Sequence, residues 1–297
     1  MSSRFRNVGL VVAIVCITAM GVAAAPTGDS LRVCADPNNL PFSNERQQGF
    51  ENKIAQAVAS AFGQRLDYVW WAQRRGFVRN TLNAGACDLI VGVPAKFELA
   101  LTTRPYYRST YVFVTRRADL HLTGLDDPRL QHMTIGVHLI GDDFANVPPA
   151  HALTKRGMVG NVRGYSVYGD YSQPDPPAAL VRAVASGALD VAIAWGPLAG
   201  YFARHSPVPL TITPVPQDPT LPSLPFAYDI AMGVRRTDVA LERKLDSFIT
   251  SHRRELDQIL DEYGVPRVDG SRRAASAAAG SADAQPSARR TAAETHR

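Results

Sequence analysis

Short apolar runs typical of β-strands alternate with segments that repeat apolar residues every three or four positions, as amphipathic helices do. The first of these helices carries apolar residues on one face between Phe50 and Phe62 and is predicted to end at Gly63. The strand candidates around it are the runs LRVCA from residue 31, LDYVWW from 66, DLIVGV from 88 and TYVFVT from 110. This strand-helix-strand order predicts a parallel sheet covered by helices on both faces.

A second unit of the same kind begins near Leu125. Its predicted elements are strands at 133–137, 162–165 and 190–195 and helices at 146–156 and 177–186. A further strand at 226–234 follows a Pro-rich stretch and leads into a final amphipathic helix, 241–263. The pattern predicts an α/β fold of two lobes, each a mostly parallel sheet flanked by helices, with a cleft between them at the strand ends. The predicted first lobe is 26–118 plus 226–268, and the second is 119–225.

Both ends of the chain are predicted to lie outside the folded body. Arg4 and Arg6, an apolar run at 8–20 and small residues up to Ala25 are typical of a cleaved signal peptide, 1–25. A membrane anchor is the alternative, but the run falls short of the roughly 20 residues that a span requires. The protein is therefore expected in the periplasm without membrane insertion. The Ala-, Ser- and Arg-rich tail, 269–297, is predicted to be disordered, with an Ala-rich helix as the alternative.

The net charge sits mainly at these ends. The chain has 32 Lys and Arg against 27 Asp and Glu, but residues 26–268 hold 25 basic and 24 acidic residues. A nucleic-acid-binding protein should show a basic stripe on its folded body. We therefore exclude nucleic acid as a partner.

Two cysteines, Cys34 and Cys87, remain after removal of the signal peptide. An even pair in an oxidising compartment predicts a disulfide, and two buried free thiols are the alternative. A bridge between positions 34 and 87 would close a long loop and stabilise the fold by roughly 4 kcal/mol, because it restricts the unfolded chain.

No catalytic signature with the required context occurs in the chain. The sequence contains no GxSxG elbow, no GxxxxGK[ST] loop, no HExxH and no GxGxxG. The pairs Asp126-Asp127 and Asp142-Asp143 are candidates for a metal or for paired carboxylates, but both lie in turn-like surroundings where Asp is common. We expect no catalytic residue, no metal site and no cofactor.

The loops after the predicted strands carry aromatic and directional polar side chains, which suit recognition of a ligand or partner. The candidate cleft residues are Asp36, Asn38, Phe42, Trp71, Arg74, Arg75, Tyr165, Tyr168, Asp170 and Trp195. The alternative for any one of them is structural, with the aromatic rings packing between the lobes and the arginines pairing with surface acids.

Longer motifs carry a family resemblance: CADPNNLPFSN, GFENKIAQAVA, QRRGFVRNTLNAGACDLIVGVP, PYYRSTYVFV, VYGDY, AWGPLAGYF and DIAMGVRR. Together they resemble periplasmic solute-binding proteins of the type II fold, and more narrowly the MxaJ/XoxJ branch associated with quinoprotein methanol dehydrogenases. The resemblance implies that Lys96 stands where amino-acid receptors of this fold place the Arg that holds the ligand carboxylate. Lys lacks the bidentate fork of Arg. The acid that binds the ligand ammonium is replaced by Trp195-Gly196-Pro197, so a free amino acid is not the expected ligand.

Three functions stay open at this point. The resemblance favours a monomeric, non-catalytic accessory protein that binds a PQQ-dependent methanol dehydrogenase or its apo form, and whose cleft accepts a protein segment. The first alternative is a receptor that delivers a small ligand other than a free amino acid to an ABC importer. The second is an enzyme on this scaffold, as some exported dehydratases are.

Overall fold

The computed structural model describes residues 30–140, 146–168 and 170–268 of the 297-residue chain. The predicted signal peptide and the predicted disordered tail lie outside the described residues. Within them, no helix combines the length and the apolar character that a membrane crossing requires.

Twelve strands lie within the described residues. They are β1 (Ser30–Ala35), β2 (Asn38–Asn39), β3 (Ser43–Asn44), β4 (Arg65–Trp70), β5 (Ile90–Pro94), β6 (Leu101–Thr102), β7 (Tyr107–Thr115), β8 (Ile135–Leu139), β9 (Val162–Ser166), β10 (Val191–Trp195), β11 (Thr211–Pro214) and β12 (Ala227–Val234). The predicted strands of both units are all present, with small shifts of their ends.

The helices pack against these strands. They are α1 (Phe50–Phe62), α2 (Phe77–Asn80), α3 (Pro148–Lys155), α4 (Ala179–Ser186), α5 (Gly196–Arg204), α6 (Val239–Ser251) and α7 (Arg253–Glu262), with short 3₁₀ helices at Pro128–His132 and Pro176–Ala178. Helix α1 ends as predicted at Gly63, whose φ of 63° places it in the left-handed region that favours glycine.

The α/β fold with two lobes is confirmed, and its sheets are mixed. Pairing is parallel where helices join the strands, between β1 and β4, β8 and β9, and β8 and β10. The two long strands run antiparallel to their neighbours: β12 to β5 and β7, and β7 to β10 and β11. The antiparallel pairs differ from the mostly parallel sheets that were predicted. The order of strands and helices along the chain gives no information about strands that run from one lobe to the other.

Strand β7 belongs to both lobes. Its first half, Tyr107 to Thr110, pairs with β12 of the first lobe, and its second half, Tyr111 to Thr115, pairs with β10 of the second. The returning chain meets it at the same point, since Phe226 O accepts hydrogen bonds from Tyr111 N at 2.9 Å and Thr110 Oγ1 at 3.0 Å. We propose that the chain crosses between lobes here, while the predicted lobe bounds stay a prediction.

Each lobe has a hydrophobic core on both faces of its sheet. In the first lobe, one core lies under α1, α6 and α7 around Phe50, Ile54 and Leu256, and a smaller one surrounds the two cysteines. In the second lobe, the cores gather around Leu153 and Leu180. This double coverage is what strands buried on both faces require.

Two elements differ from the prediction. The final helix is divided into α6 and α7 at His252, where φ is −107° and ψ is 22°, and this break turns the apolar face of α7 onto the core. Strand β11 was missed because it lies in the Pro-rich stretch, 207–225. Its β-branched residues pair with β7, and Pro214 is tolerated because β11 is an edge strand.

The predicted disulfide between Cys34 and Cys87 is present, with the two Cα atoms 5.5 Å apart. Both residues are buried. Cys34 N also donates a hydrogen bond to Leu89 O at 2.8 Å, so β1 and the segment leading into β5 are neighbours in the first lobe.

We expect replacement of both cysteines by alanine to lower the free energy of unfolding by about 3–4 kcal/mol, because the unfolded chain is then no longer closed into a loop of this length. Urea denaturation of the oxidised wild type and the double variant measures the difference. Wild type treated with reductant and alkylated at both thiols provides the control. Equal stability of all three proteins would contradict the structural role of the bridge.

Candidate functional site

A cavity of about 530 Å³ opens between the lobes, a size that suits a small ligand or a few side chains of a partner. Its wall contains residues of both lobes and of both long strands. The lining residues are Asn39, Phe42, Glu51, Gln73, Gly92, Val93, Pro94, Tyr107, Tyr111, Ile140, Asn146, Val147, Pro148, Trp195, Leu224, Tyr228 and Ile230. We call this space the main cavity.

The aromatic side of the main cavity is built by β7, β12 and the end of β10. Tyr111 and Trp195 have ring centroids 5.4 Å apart, and Trp195 and Tyr228 have centroids 5.8 Å apart, both in edge-to-face geometry. This geometry is favourable between aromatic quadrupoles. Tyr107 lies four residues before Tyr111 on β7 and therefore on the same face of that strand, so the aromatic wall rests on the strand that the two lobes share.

Among the described residues of this wall the acid is Glu51, in the first turn of α1. Its carboxyl lies directly against Gly92 of β5, where any larger residue would meet Glu51 Oε1. Burial, together with the nearby charge of Asp36, raises the pKa of Glu51 to about 8. At neutral pH the Glu51 carboxyl is therefore mostly protonated.

Asp36 connects the two lobes at the edge of this cleft. Its carboxylate accepts hydrogen bonds from Asn38 N at 2.8 Å, Gln73 N at 2.6 Å and Tyr171 OH at 2.5 Å. Burial and the hydrogen bond to Asp36 raise the pKa of Tyr171, so the phenol stays the donor. Because Asp36 follows β1 and Tyr171 follows β9, this bond joins one lobe to the other.

Two further contacts strengthen this connection. Asn38 Nδ2 donates to Gln173 O at 3.1 Å, and the Arg74 guanidinium lies 4.7 Å from the ring centroid of Tyr171. The cation over the ring face adds to the attraction between the lobes. We call these contacts, together with the Asp36–Tyr171 bond, the interlobe latch.

A second cavity, of about 540 Å³, shares Gln73 and the strand segment Gly92–Pro94 with the main cavity. Its character is different because Arg74, Arg75 and Arg79 line it, together with the apolar side chains of Phe97 and Leu99. Leu99 is 52% exposed. The result is a basic groove with an apolar floor beside the cleft.

The structure distributes the predicted site residues over several places. Phe42 and Trp195 line the main cavity; Arg74, Arg75 and Tyr168 line the second cavity; Asp36 and Asn38 belong to the latch. The remaining four, Trp71, Lys96, Tyr165 and Asp170, line neither cavity.

These four have local surroundings of their own. Asp170 is exposed and accepts hydrogen bonds from Ser172 N and Oγ within its own turn, which lowers the pKa of the Asp170 carboxyl. Lys96 is exposed in a loop, with a backbone φ of 63°. Tyr165 packs against a core of the second lobe, and Trp71 is 46% exposed.

Sequence reasoning missed the cavity residues that lie inside secondary structure, such as Glu51, Tyr107 and Tyr228. The predicted residues lie in loops after strands, whereas the cavity wall uses strand faces and the start of α1. One signal was available: Gly92 interrupts an otherwise bulky strand, and a glycine at such a place marks close approach of another group. That group is the Glu51 carboxyl.

The Asp126-Asp127 pair is held by arginines. Asp126 binds Arg156 at 2.7 Å and Asp127 binds Arg129 at 2.6 Å, so the two carboxylates serve separate ion pairs. The other pair, Asp142-Asp143, lies outside the described residues. In the part of the chain that the structure describes, no group of three or more His, Cys, Asp or Glu residues is placed to hold a metal ion.

We expect Tyr171→Phe to weaken the latch, because it removes the one side-chain hydrogen bond that the described part of the other lobe donates to the buried Asp36 carboxylate. The free energy of unfolding should fall by about 1–3 kcal/mol, the usual cost for a hydrogen bond to a charged group. Spin labels on α1 and α4 should then report a broader interlobe distance distribution. Tyr165→Phe, which removes a hydroxyl from outside the latch, is the control, and equal behaviour of the two variants would refute the latch.

The raised pKa of Glu51 predicts a dependence of stability on pH. Between about pH 5 and 8 the unfolded chain loses the Glu51 proton while the folded chain keeps it, so this group lowers the free energy of unfolding by up to about 1.4 kcal/mol per pH unit. Glu51→Gln, uncharged in both states, should lose this slope and gain stability relative to wild type as pH rises. Denaturation series at several pH values test this, and parallel curves for the two proteins would contradict it.

Comparison with known proteins agrees with this geometry. Residues 31–266 match the model of the bacterial extracellular solute-binding proteins, family 3. Protein MoxJ of Methylorubrum extorquens is 35% identical over 252 residues, which cover 82% of this chain and 83% of that protein.

Two solved structures share the fold. The periplasmic binding protein XoxJ from Methylobacterium extorquens AM1 is 38% identical with a TM-score of 0.67, covering 80% of this chain and 99% of that one. MxaJ from Methlophaga aminisulfidivorans MPT, at 23% identity and a TM-score of 0.68, covers 80% of this chain and all of its own, 100%. The chain therefore belongs to family 3 of the bacterial extracellular solute-binding proteins, and within it to the MxaJ/XoxJ type with the type II periplasmic-binding-protein fold.

Proposed function

We propose that this chain is a periplasmic accessory protein that binds a PQQ-dependent methanol or alcohol dehydrogenase and assists the maturation or activity of that enzyme. Its similarity to the MoxJ, XoxJ and MxaJ proteins links it to methanol dehydrogenase systems. In this proposal the chain catalyses no reaction, carries no cofactor of its own and acts as a monomer through contact with the enzyme.

The observation that carries the proposal is the charge of the main cavity. Among its described lining residues there is no Arg, Lys or His. Capture of an amino-acid carboxylate depends on a cationic, preferably bidentate, donor. Lys96, which the resemblance places at that position, lies outside the lining residues. A cleft without this donor does not suit an amino-acid importer, and this favours the accessory role.

The interlobe latch supports the same proposal. A receptor for an importer changes shape when its ligand adds contacts that favour the closed state. Here Asp36, Asn38 and Arg74 already contact the opposite lobe through the protein's own side chains. Closure then depends less on a small ligand, and the protein keeps a defined surface on which an enzyme can dock.

We place the docking contact at the second cavity. There Arg79 and the exposed Leu99 offer positive charge beside an apolar side chain, which complements an acidic surface bearing apolar side chains. Arg79 is the best probe of this contact, because its side chain is exposed and lies on α2 at the rim of the groove.

The direct test is binding to the purified dehydrogenase, in its apo and cofactor-loaded forms, by isothermal titration calorimetry. We expect Arg79→Glu to weaken binding at least tenfold, because it places an acid against an acidic surface. Arg243→Glu on α6, which lines neither cavity, makes the same charge change and should bind like wild type.

A strain without this chain provides the cellular test. We expect a lower yield of active, cofactor-loaded dehydrogenase, restored by wild type and not by Arg79→Glu. An unaltered yield together with no binding in the calorimeter would contradict the proposal. The importer alternative makes a different prediction: a small ligand should raise the melting temperature by mass action while dehydrogenase yield stays normal.

A further inference from the structure

Two polar side chains of the main cavity, one on each lobe, accept no hydrogen bond from any group that the structure describes. Within the described residues, no group donates a hydrogen bond to the Glu51 carboxyl. Asn146 Oδ1 is buried and likewise has no donor. Glu51 belongs to α1 of the first lobe, and Asn146 precedes α3 of the second. Buried polar atoms are nearly always paired, so Asn146 Oδ1 calls for a donor from outside, and the partly exposed Glu51 carboxyl faces the same cavity.

The groups that the structure describes around Glu51 add no positive charge. Asp36 faces it from the loop after β1, and the phenols of Tyr68, Tyr106 and Tyr107 face it from β4 and from the start of β7. On β5 its neighbour is Gly92, which has no side chain. An ionised Glu51 in the empty cavity is therefore opposed by burial and by a neighbouring acid.

The rest of the wall suits an organic cation. Phe42, Tyr107, Tyr111, Trp195 and Tyr228 line the cavity beside the two acceptors. Aromatic faces attract cations, and the attraction grows where water is excluded. A cavity with acceptors and aromatic rings, and with no cationic side chain in its described wall, is complementary to a group that is both positively charged and a donor.

We propose that the main cavity binds an alkylammonium group, with Glu51 as its counter-ion, Asn146 as a second acceptor of its N–H bonds and the aromatic wall around its alkyl chain. The group can come from a free alkylamine or from a lysine side chain of a protein segment that enters the cleft. This inference is independent of the dehydrogenase and concerns the cleft alone.

Other occupants fit the wall less well. A zwitterion would place its carboxylate in a wall without a cationic partner. A hard metal ion needs about six oxygen ligands, and the described wall supplies one carboxylate and three amides. A neutral alcohol would hydrogen-bond to the protonated Glu51 without the attraction that an ionised carboxylate and the aromatic faces give to a cation.

Calorimetry with n-butylammonium chloride tests the proposal, and 1-butanol serves as the neutral probe of the same length. We expect saturable binding of butylammonium only. Near pH 6.5, where Glu51 starts protonated, each bound cation should release close to one proton, measured by comparing buffers of different ionisation enthalpy. Above pH 9 this release should vanish because Glu51 is already ionised. Equal binding of the two probes, or no binding of butylammonium, would overturn the proposal.

Variants locate the counter-ion. Glu51→Gln should weaken butylammonium binding at least tenfold and abolish the proton release. Because glutamine resembles the protonated acid, this variant keeps the fold. Glu45→Gln, an exposed site outside the main cavity, is the matched control and should bind like wild type. Gly92→Ala, which pushes against the Glu51 carboxyl without changing charge, should weaken binding too. Full affinity in Glu51→Gln would refute the assignment.

A third probe separates the two sources. A lysine blocked at both its amino and carboxyl groups carries the same ammonium on a peptide-like body. Tighter binding of blocked lysine than of butylammonium supports a protein lysine, and the reverse order supports a free amine. Tighter binding of unblocked L-lysine than of blocked lysine would contradict the proposal, because it would require a carboxylate site. None of these measurements uses the dehydrogenase, so their failure leaves the accessory role to its own test.

Discussion

The hydrogen-bonded meeting of β7 with the returning chain at Phe226 is the constraint on which the rest of this structure depends. At Thr110 and Tyr111 the strand changes partner, from β12 in one lobe to β10 in the other. The floor of the cleft is made by the same two strands, since Tyr107 and Tyr111 of β7 and Tyr228 of β12 line the main cavity. Motion of the lobes and shape of the binding surface are thus coupled through one pair of strands.

Electrostatics then divides the cleft region into two different surfaces. The segment Gly92–Pro94 separates a cavity with an acid and aromatic rings from a groove lined by three arginines. Asp36 lies close to both of these surfaces and accepts hydrogen bonds from Gln73 N of one lobe and Tyr171 OH of the other. Its negative charge also disfavours ionisation of Glu51. Asp36, with its three donors, joins the lobes, while burial and the nearby Asp36 raise the pKa of Glu51 and keep its carboxyl mostly protonated at neutral pH.

Much of the fold could be predicted from the sequence because apolar periodicity and glycine stops report local structure. Helix α1 with its end at Gly63, the strands of both units and the cystine follow from such signals. The antiparallel course of β7 and β12 could not be predicted, because strand partners are chosen by tertiary packing.

The site was harder to predict for a related reason. Phe42 and Trp195 line the main cavity as predicted. Lys96 instead lies in an exposed loop, and the Asp170 carboxylate accepts a hydrogen bond within its own turn. Glu51 looks in sequence like an ordinary acid at a helix start, where Asp and Glu are common. Its place in the cavity wall is visible only in the folded protein, where the Glu51 carboxyl lies against Gly92 of β5.

The central claim is that the cleft of this two-lobed protein contains an acid, Glu51, that stays uncharged near neutral pH until a cation binds. The most direct measurement is a carbon-detected NMR titration of the free protein, with the Glu51 carboxyl resonance assigned by its loss in Glu51→Gln. The account predicts a midpoint near pH 8, in line with the raised pKa of Glu51. A midpoint below about pH 5, the ordinary range for a solvated glutamate, would contradict it.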